Sequence, residues 1–177
     1  GLAQSWKQAP HGTVTPSFEG LPGTHAAYVN KEVATGIPED YLVTPQFLVP
    51  ENPELYFYSR LTIPGDQGNN YKLMIVDLTA NPTADVNLIS SYTDFHLWEN
   101  EMALNPSQTE YAFKTIPIPA EYVGHDVRIA FVMYGNDKER WLIDHVMVSE
   151  KCLAPEAGEA INEGMTTVEL TWENPGG

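Results

Sequence analysis

The chain has 177 residues, 42% of them hydrophobic, enough for one domain with a full core. A formal net charge of −15, from 24 acidic and 9 basic residues, argues against holding nucleic acid or an anionic membrane through cation–phosphate contacts. No apolar run reaches the ~20 residues of a transmembrane helix, and the single cysteine, Cys152, rules out an intrachain disulfide framework.

Residues 1–16 read as an extended lead-in or linker. Beyond them almost nothing has helical periodicity. The 14 prolines and 13 glycines cut the chain into short runs rich in β-branched and aromatic residues. These are "YLVTPQFLV" (41–49), "LYFYSRLTI" (55–63), "YKLMIVDL" (71–78), "VNLISSYT" (86–93), "YAFKTIPI" (111–118), "VRIAFVMYG" (127–135), "WLIDHVMV" (141–148) and "TTVELTW" (166–172). Short strands bounded by Gly, Pro, Asn and Asp imply an all-β sandwich or barrel. "PGDQGNNY" (64–71) reads as a hairpin-type loop, "NPTAD" (81–85) as a turn, and "PAEYVGHD" (119–126) as room for one helical turn. "DFHLWENEMALNPSQ" (94–108) reads as the longest non-strand stretch, a functional loop or a short helix. After Glu150 the chain reads as a linker, one strand and a Pro-Gly stop, too little to bury a core alone.

One strand poses a problem. In "WLIDHVMV", simple alternation puts Leu142, Asp144, Val146 and Val148 on one face, and Trp141, Ile143, His145 and Met147 on the other. An unpaired buried carboxylate costs roughly several kcal/mol, so Asp144 should reach solvent or meet a partner.

Two runs have the chemistry of sugar binding, with aromatic rings beside polar side chains. "SSYTDFHLWENE" offers Tyr92, Phe95 and Trp98, and "YGNDKERW" offers Tyr134, Asn136 and Trp141. Both fall in candidate loops, where sandwich modules commonly hold ligands. Signatures of catalysis are missing: there is no Gly-x-Ser-x-Gly elbow, no His-Glu-x-x-His, no phosphate loop and no cysteine pair for zinc. The expectation is a protein that is not an enzyme.

Four pieces in order carry a family resemblance. "SFEG" comes first, then "EDYLVTPQF", then "YAFKTIPIPAEYVGHDVRIAFVMYG", then "WLIDHVMV". Together, over about residues 17–149, they resemble the cleaved-adhesin or choice-of-anchor J domains of Bacteroidetes surface proteins. That family usually shows Phe-Glu, Trp-Leu-Ile-Thr-Pro, a strand ending in Ile-Ala-Phe, and Leu-Asp-Asp-Val. Here Tyr41 stands for the usual Trp and His145 for the usual second Asp. The tail 151–177 resembles a linker and the truncated start of a fibronectin type III domain.

The resemblance implies a jelly-roll-type β-sandwich over 17–150, related to galactose-binding and carbohydrate-binding modules. It implies a structural calcium shared by the residues matching the family's ligands, Glu19 and Asp144, and such an ion would answer the Asp144 problem. It implies adhesion to a host or environmental glycan or protein, beside neighbouring domains of the same polypeptide. It also implies a secreted or cell-surface location, with the signal peptide outside this chain, and no membrane insertion. The alternative is a structural spacer or protein-interaction domain without a small-molecule ligand.

Overall fold

The computed structural model describes residues 7–10, 25–29, 39–135, 140–151, 159–163 and 168–171. They form twelve strands and one short helix: β1 (Lys7–Pro10), β2 (His25–Val29), β3 (Glu39–Val43), β4 (Phe47–Leu48), β5 (Pro53–Leu61), β6 (Asn69–Asp77), β7 (Thr93–Trp98), α1 (Glu101–Leu104), β8 (Ala112–Pro117), β9 (Asp126–Gly135), β10 (Trp141–Glu150), β11 (Glu159–Glu163) and β12 (Val168–Thr171).

Two antiparallel sheets face each other. The first runs β1-β2-β10-β5-β8; the second runs β3-β9-β6-β7, with β4 also on β9. From β5 onward the chain passes back and forth between them, as in a jelly roll. Alternation drives this pairing. Leu55, Phe57 and Leu61 on β5 turn inward beside Trp141 and Ile143 of β10. Tyr71, Leu73 and Ile75 of β6 turn inward beside Ile129, Phe131 and Met133 of β9. Rings interlock across the gap, Phe57 on Phe131 at 5.1 Å and Trp141 on Tyr71 at 5.0 Å, both edge to face. The sequence expectation of an all-β jelly-roll-type sandwich holds.

Several local expectations change. Residues 64–71 do not close a hairpin, because β5 and β6 lie in different sheets. They form an arch, held by Gln108, whose side chain accepts from Gly65 N (2.9 Å) and donates to Gly65 O (3.0 Å). The run 86–93 is not a strand until its last residue, Thr93, which opens β7. It carries a 3₁₀ turn at Ile89–Ser91 and covers the outer face of the second sheet. Its apolar residues pack on Met74, Val76, Ala130 and Val132, which produces apolar spacing without ladder pairing. Tyr41 OH donates to Asn87 O (2.7 Å) and Tyr92 OH to Val86 O (2.9 Å), pinning the cover down. In 94–108 the first five residues belong to strand β7; α1 then follows, with Asn100 Oδ1 accepting from Ala103 N as its cap (2.9 Å). Within the expected lead-in, β1 pairs with β2. In the tail, β11 and β12 form a two-stranded sheet.

A polar clasp ties β6 to the turn before β9. Asp77 Oδ1 accepts from Thr79 N and Ala80 N (both 2.9 Å), and Asp77 Oδ2 meets His125 Nδ1 at 2.8 Å. Burial raises this carboxyl's pKa, but the Ala80, His125 and Thr79 contacts outweigh it and hold the group below its ordinary value. A depressed carboxylate stabilises the fold above its unfolded pKa of about 3.9, and this contribution disappears as pH falls through the lower folded value. Urea midpoints measured from pH 6 down to pH 2 should therefore fall less steeply for Asp77→Asn than for the parent. Parallel curves would remove the clasp from the acid response.

Candidate functional site

With the second sheet's outer face covered, the outer face of the first sheet positions the site. On β5, Glu54, Tyr56, Tyr58 and Arg60 alternate with the inward Leu55, Phe57 and Leu61 and so face outward. Ladder partners extend that face. Tyr56 stands opposite Thr115 and Met147, and Tyr58 opposite Phe113 and Asp144.

Three rings adjoin there. Tyr56 and Phe113 stack at 5.8 Å and 15°, and Phe113 meets Tyr58 at 5.1 Å and 49°. Phe113 is 54% exposed, more than either of the half-buried tyrosines beside it. His145, on the far side of Tyr58, lies edge-on at 6.4 Å. At one end of the row, Tyr56 OH donates to Glu54 Oε2 (2.7 Å) while Lys151 Nζ lies 3.2 Å from Glu54 Oε1. The Tyr56 bond chiefly holds the Glu54 carboxyl below its ordinary pKa, against the opposing effect of burial. At the other end, the Arg60 guanidinium donates to Thr109 O and lies over the Tyr111 ring at 5.9 Å.

Asp144 stands opposite Tyr58 in the ladder, and its charge reaches Tyr111. Burial, and then the Asp144 charge, push the Tyr111 hydroxyl up to about 12. Asp144 Oδ1 accepts from His145 N (2.8 Å). Its Oδ2 is buried and has no hydrogen-bond partner among the described residues. The register explains how a carboxylate stands in this strand. A bulge between Asp144 and Met147, with His145 at φ 54°, breaks the alternation. Before it Asp144 faces outward, and beyond it Met147 does, while Val148 packs toward the core. Simple alternation placed Val148 on the Asp144 face and failed because it assumed no extra residue.

The structure scatters the sequence-selected aromatics. Trp141 is fully buried, its Nε1 donating to Ser59 Oγ (3.0 Å), so it presents no ring to a ligand. Trp98, 8% exposed, lies edge to face with Phe57 in the core. Tyr92, 6% exposed, belongs to the cover over the second sheet. Phe95 sits at a bulge in β7 and packs against the core. Tyr134 is half-buried, with Lys72 Nζ over its ring at 5.2 Å. Asn136 and Glu19 lie outside the described residues. Sequence reasoning did not single out Tyr56, Tyr58 and Phe113 because it looked for candidate aromatics in loops. The signal was present: "LYFYSRL" carries tyrosine at two positions that alternate with core residues.

Asp144 Oδ2 suits a cation, being an anionic, buried, unpartnered oxygen. Among the described residues no three His, Cys, Asp or Glu side chains converge to hold a metal. A calcium shell at Asp144 would therefore draw on backbone carbonyls and on Glu19. An apolar groove of about 640 Å³ runs between Leu42, Phe47 and Leu48 on one side and Val146, Met147 and Val148 on the other. Its lining is mostly apolar, with Thr44, Gln46, Ser149 and Glu150 as its polar residues.

No family model and no curated protein matches the chain. Solved structures do. The K3 cleaved adhesin domain of Lys-gingipain from Porphyromonas gingivalis is 19% identical, with a TM-score of 0.50, covering 85% of this chain and 94% of that one. The module CBM27-1 of Caldicellulosiruptor saccharolyticus, solved with mannohexaose, is 16% identical, with a TM-score of 0.53, covering 83% and 82%. The module TmCBM61, solved with β-1,4-galactotriose, is 13% identical, with a TM-score of 0.50, covering 83% of each. At these identities the likeness is one of fold, and the chain is a β-sandwich of the kind found in cleaved-adhesin and carbohydrate-binding domains.

Proposed function

We propose that this chain is a non-catalytic glycan-binding module of a secreted or surface protein, and that its ligand lies across Tyr56, Phe113 and Tyr58. The observation that carries this reading is the aromatic row on the outer face of the first sheet, with Phe113 exposed between two half-buried tyrosines and with the Asp144 oxygen, unpartnered among the described residues, at its edge. Flat rings receive the C–H faces of pyranose rings, and a carboxylate oxygen accepts from sugar hydroxyls. The binding modules of like fold, solved with mannohexaose and with β-1,4-galactotriose, support the ligand class. Adhesion through a glycan is the wider role that agrees with the adhesin resemblance.

The test is affinity electrophoresis and calorimetry against soluble mannan, galactan and their oligosaccharides. Phe113→Ala should weaken binding about tenfold or more, a stacked aromatic contact being worth roughly 0.5–1.5 kcal/mol beyond its buried area. Tyr92→Phe, in the cover of the other sheet, should leave affinity unchanged. If no glycan binds the parent protein, the spacer reading takes over. If Phe113→Ala binds as the parent does, the site lies elsewhere.

A second reading concerns Asp144 alone: calcium, held with Glu19, as a brace at the β10 bulge. It is supported by the buried Asp144 Oδ2 without a donor.

A further inference from the structure

A second carboxylate lies away from this face, inside the domain. Glu101 opens α1 and is 0% exposed. Its Oε1 is saturated, accepting from Asn69 N (3.2 Å), Asn69 Nδ2 (3.0 Å) and Tyr71 OH (3.2 Å). Its Oε2 is buried and has no partner among the described residues. One helical turn on, Asn105 is also 0% exposed. Asn105 Nδ2 donates to Gln108 O (3.2 Å) and Glu110 O (3.0 Å), and its Oδ1 is likewise buried without a partner. Glu101 opens the four-residue α1 and Asn105 caps its other end one turn on, so each end of the helix carries a buried oxygen without a partner among the described residues. Asn105 N donates to Glu101 O (2.9 Å), which fixes that turn.

Two acceptors cannot satisfy each other while the carboxyl is ionised. A buried charge also needs compensation, and three hydrogen bonds to one oxygen supply only part of it. No lysine, arginine or histidine forms an ion pair with Glu101 among the described residues. We propose that a monovalent cation of sodium size resides between Glu101 Oε2 and Asn105 Oδ1, beneath the arch between β5 and β6. Charge decides the valence. One carboxylate and one neutral amide balance a single positive charge, whereas a divalent ion would leave a buried excess and call for further carboxylates. A water molecule could bridge both oxygens but would leave the negative charge uncompensated. The site is separate from Asp144 and stands whether or not the glycan reading does. The ion would pin α1 to β6, where Asn69 and Tyr71 hold the other half of the same carboxylate.

The test is thermal unfolding of the protein freed of divalent ions with EDTA, in NaCl and in tetramethylammonium chloride, each at about 150 mM. The two salts screen the chain's negative charge alike, but tetramethylammonium is too large for a buried oxygen pair. The melting temperature should be higher in NaCl by about 3–6 °C. Glu101→Gln should abolish the difference. Equal melting temperatures for the parent protein in the two salts would overturn the proposal in favour of a bridging water or a neutral carboxyl, and need no variant that folds. A sodium-specific rise that persists in Glu101→Gln would overturn it as well.

Discussion

Trp141→Ala should destabilise the domain by about 3–5 kcal/mol, lowering its melting temperature by roughly 10 °C or more. Trp141 is fully buried and sits where the two sheets meet, against Tyr71 at 5.0 Å and Phe131 at 6.2 Å. Truncation removes one of the largest side chains of the core and leaves a cavity between stiff strands that cannot collapse around it. It also strands the Ser59 hydroxyl, which is buried and accepts the indole N–H. Trp141→Phe should cost less, keeping most of the ring contact while losing that bond. Calorimetric unfolding checks both. Glycan affinity supplies the contrast: Trp141→Phe, measured where it is folded, should bind as the parent does. A selective loss of affinity with intact stability would return Trp141 to the ligand surface, against its burial.

The sandwich was legible because its signal is global. Punctuated runs with period-two apolar positions recur along most of the chain, and local misreadings do not alter their sum. What failed was local and has physical causes. Residues 86–93 look like a strand because a segment lying flat on a sheet must also present apolar residues at intervals. "PGDQGNNY" looks like a hairpin loop because turn residues report a change of direction, not which sheet the chain enters next. The bulge at His145 carries no glycine or proline to betray it, and one extra residue reverses every side chain beyond it.

The candidate site was less legible for a related reason. Sequence shows which residue types could stack on sugar, not which face is covered. Trp98, Trp141, Tyr56 and Tyr58 are equivalent as chemistry. Only the topology tells that the first two close the core, that the segment 78–92 covers the second sheet, and that β5 and β8 present their tyrosines and Phe113 outward. Asp144 was legible as a residue in need of a partner, since its charge conflicts with its neighbours whatever the register.

Asp144 also gives the largest expected ligand effect, because one oxygen cannot serve calcium and a sugar hydroxyl in the same way. If it holds calcium, millimolar CaCl₂ should raise the melting temperature of the chelator-stripped protein. At a hundredfold excess over Kd the gain is about 2.7 kcal/mol, or roughly 5–10 °C. MgCl₂ should not reproduce the rise, since Mg²⁺ demands a tighter octahedral shell and dehydrates reluctantly. Asp144→Ala should then abolish the calcium response, and a mutant that still responds as the parent does would remove Asp144 from the shell. If calcium shifts nothing and elemental analysis finds none, the metal site falls. Oδ2 is then left to the ligand: Asp144→Ala should weaken glycan binding about tenfold without any calcium dependence, since a hydrogen bond to a charged group is worth roughly 1.5–3 kcal/mol. The geometry allows both, because the oxygen lies at the β10 bulge and beside Tyr58, at the edge of the aromatic row. An ion there would fix the bulge that turns Asp144 and Met147 to the outer face of the first sheet, so that calcium removal would loosen the proposed site even where the ion touches no sugar.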